Sequence, residues 1–361
     1  MEKVKKMNVL MIGSHLRVNG GITRVVKNYM EAGLNEKANL TYFPTYYGSN
    51  NLVNILYFFT RYLLLYFQLV ILRKDYDAAH IHMSYKGSFL RKKVIIALLK
   101  KRKIPMVLHM HGSQFKDFYN NSSKSQQSEI KNTLNSVDVI LALGQQWKQF
   151  YESISTAKVI SLDNAVFPKE EEAVQEEKVY ISTMGVLSQR KGSYDLLEVG
   201  KRLKGKIDKK YKFLIAGDGD VEIIKKKIKE LDLEELFVIP GWISDQAKIE
   251  EIYQKSAIYM LPSYNEGMPM SVLEGMSYGI PIISTRVGSI ETVVEAENGI
   301  LVQPGEIDEM VKSITYILDH PEVQTAMSKN NREKINQRFN IYSSIDDLLV
   351  IFRDLQTKVG K

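Results

Sequence analysis

Short apolar runs recur at residues 7–12, 39–44, 78–83, 105–110, 138–143 and 157–161, and longer amphipathic stretches fill the intervals between them. The runs suit strands and the intervals suit crossover helices, which together predict a parallel sheet. A second series begins at Val179, with strands expected at 179–185, 211–216, 236–239, 257–261, 281–284 and 300–302. Residues 306–357 carry helical periodicity throughout. Two doubly wound α/β domains side by side are the simplest architecture, and ligands are then expected in a cleft beyond the carboxyl ends of the strands.

A length of 361 residues fits two such domains better than one core. Residues 1–166 form the expected first domain and 179–339 the second. Between them, 167–178 contains Glu170-Glu171-Glu172 and Glu176-Glu177 and reads as a solvated linker. The chain has no cysteine, which excludes disulfides, thiol nucleophiles and thiolate metal sites and suits a reducing cytoplasm. After Met1–Lys6, the apolar run 7–12 is too short for a secretory signal, so a cytoplasmic location is expected. The net charge of +7 conceals an asymmetry: residues 1–165 hold 23 basic and 10 acidic side chains, a net +13, which leaves the remainder at −6. An anionic membrane surface or a nucleic acid would be drawn to the first part. No nucleic-acid recognition module accompanies the charge, which favours the membrane.

The densest candidate chemistry lies at Pro262-Ser263-Tyr264-Asn265-Glu266-Gly267-Met268-Pro269-Met270-Ser271-Val272-Leu273-Glu274, where two carboxylates eight positions apart straddle a turn that opens a helix. Pro269 suits the first helical position, so the amides of residues 267–270 and the positive end of the helix dipole can face a phosphate. A nucleotide diphosphate fits that description. Glu266 in the loop and Glu274 in the helix would accept hydrogen bonds from sugar hydroxyls on either side of it. An acidic loop and a helical Glu meeting only solvent are the alternative. At Gly185-Val186-Leu187-Ser188-Gln189-Arg190-Lys191-Gly192, two cations sit at a strand-to-helix turn, where they can neutralise a departing diphosphate or simply be solvated. Asp218-Gly219-Asp220 has the spacing of a metal-binding pair, but so does Asp75-Tyr76-Asp77. Both pairs sit at ordinary turns, and a helix cap is the preferred reading of Asp218.

The Glu266-to-Glu274 motif, followed by Gly275-Met276-Ser277-Tyr278-Gly279-Ile280-Pro281 and Gly288, resembles the donor-site signature of family 4 (group 1) retaining glycosyltransferases of the GT-B fold, of the bacterial capsule or exopolysaccharide type. The resemblance implies two Rossmann-like domains facing a cleft, with residues 340–361 crossing back to the first. It implies a donor domain in the second half, an acceptor domain in the first, and transfer of a hexose-type sugar from a nucleotide diphosphate, UDP favoured, with retention at the anomeric carbon. No obligatory metal or other cofactor is implied. Residue by residue, it makes His111, Lys191 and Glu266 catalytic. It places the donor against Gly20, Gly21, Arg190, Lys191, Trp242, Ile243, Glu266, Gly267, Met268, Pro269, Met270 and Glu274. The family usually carries Arg where Val186 stands, and Arg190 is a neighbouring replacement. His80 and His82 are not expected to bind metal, because no third ligand is spaced with them. A nucleotide-sugar epimerase of GT-B-like fold, or a non-catalytic relative that only binds the donor, is the alternative function.

The acceptor implied is a glycan or a polyprenyl-linked sugar. The apolar segment 55–72 holds Arg61 near its middle and lies between two expected strands, which argues against spanning a bilayer and leaves a core helix as the plain reading. The stretch 89–103 adds a helix with basic ends, Arg91-Lys92-Lys93 and Lys100-Lys101-Arg102-Lys103. Basic side chains beside an apolar face suit docking on anionic lipid at the inner face of the cell membrane.

Overall fold

Val9-Leu10-Met11-Ile12 is out of contact with water on both of its faces, as a central strand of a covered parallel sheet must be. In the computed structural model, which describes residues 6–171 and 176–359, this run is β1 (Asn8–Gly13). The same sheet contains β2 (Asn39–Pro44), β3 (Ala78–Met83), β4 (Met106–Met110), β5 (Val139–Ala142) and β6 (Lys158–Ser161), in the order β2-β1-β3-β4-β5-β6. A second sheet holds β7 (Tyr180–Met184), β8 (Lys212–Ala216), β9 (Phe237–Gly241), β10 (Ser256–Leu261), β11 (Ile282–Thr285) and β12 (Gly299–Val302), in the order β12-β11-β10-β7-β8-β9. Every strand pair is parallel. Each sheet has one reversal of strand order, between β1 and β3 in the first and between β7 and β10 in the second, the place where doubly wound sheets bind ligands.

The chain divides into one compact unit of residues 1–165 with 341–361 and another of 166–340. In the first, Leu10, Ile81, Leu108 and Ile140 from four neighbouring strands meet Leu65, Leu69, Phe89 and Ile95 from the crossover helices. The C-terminal helix Ile341–Val359 belongs to this unit; Ile345, Leu348 and Phe352 are buried, and Phe352 meets His80 edge-on at 5.6 Å. In the second, Ile181, Phe213, Ile258 and Ile283 pack against Leu196, Val199, Met310 and Ile314. Residues 1–5 and, in the acidic stretch, Glu172 to residue 175 lie outside the described residues.

Helix starts follow local chemistry. The Asn50 side chain accepts from Val53 N (3.0 Å), Asp245 accepts from Ala247 N (3.0 Å), Ser123 and Gln126 form a capping box, and Pro321 opens the helix Pro321–Arg338. Two expectations fail on similar detail. Pro269 is not the first helical residue: with φ −71° and ψ 122° it is the cap, and the helix Met270–Ser277 starts one residue later. Asp218 caps no helix, because Asp220 is the residue that flanks the helix Val221–Glu230. The Asp220 carboxylate accepts from Tyr194 OH (2.9 Å) rather than from a helix amide.

The segment expected as a core helix is also different. The helix Asn51–Tyr66 continues into a π turn at Phe67–Ile71, and only 17% of its most apolar window is buried. It crosses from β2 to β3 and touches the core along one side, through buried Leu65 and Leu69 and half-buried Phe58, Tyr62 and Val70.

Candidate functional site

The chain runs outward through β7, β8 and β9 and then returns to the far side of β7 as β10, so the loops after β7 and β10 become neighbours. Two glycines let them touch. Gly192 has φ +69°, and a Cβ there would come within 2.0 Å of the Pro262 carbonyl oxygen. On the other flank Gly288 has φ +55°, and a Cβ there would come within 1.9 Å of the Glu266 carbonyl oxygen. Backbone bonds complete the clamp: Tyr264 N donates to Arg190 O (2.8 Å) and Ser289 N to Gly267 O (2.9 Å).

Held in this way, the Lys191 ammonium lies 2.5 Å from Glu266 Oε1, and Ser263 Oγ donates to the same oxygen at 2.8 Å. Arg190 Nη1 donates to Asn265 O (2.8 Å) and stands 3.8 Å from Glu266 Oε1. Glu266 is only 7% exposed, so this is a largely desolvated carboxylate with two cations on one side. Glu274, one turn into the helix Met270–Ser277, accepts from Tyr253 OH at 3.1 Å. The first internal bond of that helix runs from Val272 N to Pro269 O, so the amides of Met270 and Ser271 precede it at the positive end of the dipole. Trp242 and Ile243 follow β9, two strand spacings, or about 10 Å, from β7. Trp242 is about half-exposed, while Ile243 packs near Leu214, Ala216 and Ile252.

In the first unit, Gly20 and Gly21 are exposed at the start of the helix Gly21–Glu31, after β1. His80, His82, His109 and His111 form a ladder of imidazoles on one face of the sheet. The register pairs His82 with His109, and alternation along each strand puts the other two on the same side. His82 Nδ1 and His111 Nε2 are 2.9 Å apart, and His80 Nε2 and His109 Nδ1 are 3.3 Å apart. In each pair one ring donates and the other accepts, which couples their tautomers. Burial pushes His80 and His111 down to about 3 and holds His82 and His109 well below the usual histidine value, so all four are neutral at pH 7.

His80 Nδ1, His82 Nε2 and His109 Nε2 are buried without a hydrogen-bond partner among the described residues. The third ligand missing from the sequence is therefore present in space: one ligating atom each from His80, His82 and His109 lie within 4.8 Å of one another, so this trio could hold a divalent ion. Lys92, expected among the lipid-facing cations, is only 2% exposed. Its amine donates to Thr45 Oγ1 (2.7 Å), which donates to Gly13 O at the end of β1 (3.0 Å), and burial lowers its pKa to about 7.

Part of the chain is similar in sequence, and nearly all of it in fold, to known proteins. Residues 164–334 match the family model described as glycosyl transferases group 1. That span contains Arg190, Lys191, Trp242, Glu266 and Glu274. Residues 164–334 belong to the group 1 glycosyltransferase family. An "Uncharacterized glycosyltransferase" of Haemophilus influenzae is 33% identical over 201 residues, 54% of this chain and 56% of that protein. The UDP-Gal:alpha-D-GlcNAc-diphosphoundecaprenol alpha-1,3-galactosyltransferase of Escherichia coli is 31% identical over 146 residues, 40% of this chain and 37% of that protein. The chain thus spans about half or less of these relatives. The sucrose-phosphate synthase of Thermosynechococcus elongatus superposes with a TM-score of 0.78 over 97% of this chain and 100% of its own, at 16% identity. The fold is GT-B: two Rossmann-like units, with the final helix returned to the first.

Within the group 1 domain, the structure brings Lys191, Arg190 and Glu266 into direct contact and puts Glu274 one turn into the adjoining helix. The structure adds two polar partners in this domain, Ser263 on Glu266 and Tyr253 on Glu274. Ser263 was legible in principle, three residues from the carboxylate it binds; Tyr253 left no local signal. His111, Gly20 and Gly21 lie outside the matched span.

Proposed function

We propose that the protein transfers a hexose-type sugar from a nucleotide diphosphate donor, UDP-linked, to a glycan or polyprenyl-linked acceptor, with retention and without an obligatory metal. The observation that carries this reading is the Lys191–Glu266 contact at the β7/β10 reversal of the group 1 domain. An ammonium and a carboxylate 2.5 Å apart offer a charge to phosphate and an acceptor to sugar hydroxyls within one ligand's reach.

In this reading Lys191, with Arg190 and the amides of Met270 and Ser271, binds the diphosphate and stabilises the negative charge that grows as the anomeric C–O bond breaks. Gly267, Met268 and Pro269 carry the backbone past the phosphates, and Gly20 and Gly21 keep the role implied by resemblance, close backbone approach to the donor. Glu266 orients the donor sugar and Glu274 binds the ribose, each fixed by a hydroxyl, from Ser263 and Tyr253 respectively. Trp242 and Ile243 offer the base an apolar surface. For His111 we propose contact with the transferred sugar; a neutral ring fixed by His82 suits a hydrogen bond. The acceptor oxygen attacks from the side the diphosphate leaves, and its proton passes to the departing phosphate oxygen.

The name of the Escherichia coli relative, with UDP-Gal as donor and a diphosphoundecaprenol-linked acceptor, supports a UDP-sugar and a lipid-linked acceptor here. The net +13 of residues 1–165 supports a peripheral site at an anionic cytoplasmic membrane face. Product analysis by NMR with UDP-hexoses tests the reading: Glu266→Ala is expected to slow transfer by about 10²–10³-fold, and undiminished turnover rejects the assignment.

A further inference from the structure

The helix Asn51–Tyr66 and its π turn turn an apolar face outward. Leu52, Ile55, Leu56, Phe59, Leu63 and Phe67 are between 48% and 67% exposed, and steps of three and four put them on one side. Thr60 and the Tyr66 hydroxyl are the polar groups among the exposed side chains from 52 to 72. The one cation of the helix, Arg61, is turned back over the Phe43 ring at 4.2 Å. A crossover helix bathed in water ordinarily shows charge on this face. The segment cannot leave the sheet, because Leu65 and Leu69 sit in the core and β2 and β3 are both paired to β1. It lies along the surface of its unit as a rod about 30 Å long.

Both ends of the rod are basic. At its C-terminus stand Arg73 and Lys74, and Arg102 reaches Asp75 at 3.8 Å, which brings Lys100, Lys101 and Lys103 to the same end. Near its start, Lys86 precedes the adjoining helix Gly87–Lys101, which carries exposed Leu90. Arg73, Lys86 and Lys103 adopt left-handed backbone (φ 49°, 49° and 55°), where glycine is the low-cost residue. A helix C-terminus accounts for a cation at 73 and 103. At Lys86, before a helix N-terminus, the dipole opposes one.

We infer that this face is an in-plane membrane anchor: the stripe from Leu52 to Leu72 sinks into the acyl boundary of an anionic bilayer while the basic turns at either end bind lipid phosphates. A second copy of the chain fits less well. Residues 51–116 hold 12 basic side chains and only two acids, Asp75 and Asp77. The first is engaged by Arg102 and the second by Asn8 N, so a self-association would face cation with cation. The inference rests on the membrane partner proposed above and not on the transfer chemistry. It adds an apolar, salt-resistant component to what charge alone provides.

Vesicle flotation of the full chain tests it, with phosphatidylcholine alone and with added phosphatidylglycerol, at low and high salt. Wild type is expected to float with the phosphatidylglycerol vesicles and to remain partly bound at high salt. Leu56→Asp/Phe59→Asp/Leu63→Asp, at exposed positions, should lower partition at least about tenfold while keeping the circular dichroism and UDP-induced thermal shift of wild type. Lys74→Glu/Lys101→Glu should lose the preference for phosphatidylglycerol. Equal partition of wild type and the triple-aspartate variant overturns the inference. So does a wild type that ignores both vesicles and sediments as a dimer that the triple variant dissolves. Loss of UDP binding with flotation intact would instead count against the transferase reading alone.

Discussion

The two units treat buried polar groups in opposite ways. At the strand ends of the second, the ionisable groups are opposite in charge and in contact: Lys191 and Arg190 against a Glu266 carboxylate that water scarcely reaches. In the first, the corresponding edge carries imidazoles that burial keeps uncharged and that pair through one nitrogen each, while the excess of positive charge is spread outside. A paired charge can be redistributed to an incoming anion, which is what the proposed diphosphate site requires. A neutral ladder offers direction without charge, which suits the contact with sugar hydroxyls proposed for His111.

Removing the charged pair should have the largest effect. Glu266→Ala is expected to lower kcat by about 10²–10³-fold in a coupled assay of UDP release. It should also lower unfolding free energy by about 1–3 kcal/mol, because Lys191 is left largely buried without its acceptor. An intact kcat would remove the contrast between the units.

Next comes pH. The histidines are protonated in the unfolded chain below its value of about 6.5 but resist protonation when folded, so stability is full above pH 6.5 and falls as the pH drops toward 3. His80 and His111 each remove about 1.4 kcal/mol per pH unit in that window. Urea titrations between pH 7.5 and 5.5 should show the slope, and His80→Phe should remove only the His80 share of it; a pH-independent midpoint would mean the ladder is not neutral in the way described.

Smaller effects sharpen the comparison. His111→Gln is expected to reduce kcat about tenfold with little change in KM for UDP-sugar, because a directed hydrogen bond is lost and no charge is. Trp242→Ala should raise that KM by only a few-fold, since a half-exposed ring contributes partial stacking. Steady-state kinetics over donor concentration separates these two outcomes.

Much of this is legible in the sequence. All the strands fall where short apolar runs stand, and Lys191, Glu266 and Glu274 could be named because the first two lie in strand-end turns and the third in the helix that follows, each with its own local pattern. Contact between Lys191 and Glu266 could not, because they are 75 residues apart and meet only through the β7/β10 adjacency. The third imidazole beside His80 and His82 was hidden for the same reason: the β3/β4 register supplies His109. Composition misled at the helix Asn51–Tyr66, since an apolar stretch reads the same whether it lines a core or faces outward. It misled again at Lys92, a cation in a basic run that the helix turns inward. Pro269 differs by one position, because its ψ is extended rather than helical.

Calorimetric titration of UDP into wild type and Lys191→Met bears most directly on the charged pair as a diphosphate site. One site per chain is expected in wild type, with affinity about 10–100-fold weaker in the variant, the value of one charge-assisted contact. No heat of binding in wild type, or the same affinity in both proteins, would mean that the Lys191–Glu266 pair is structural and that nucleotide recognition lies elsewhere.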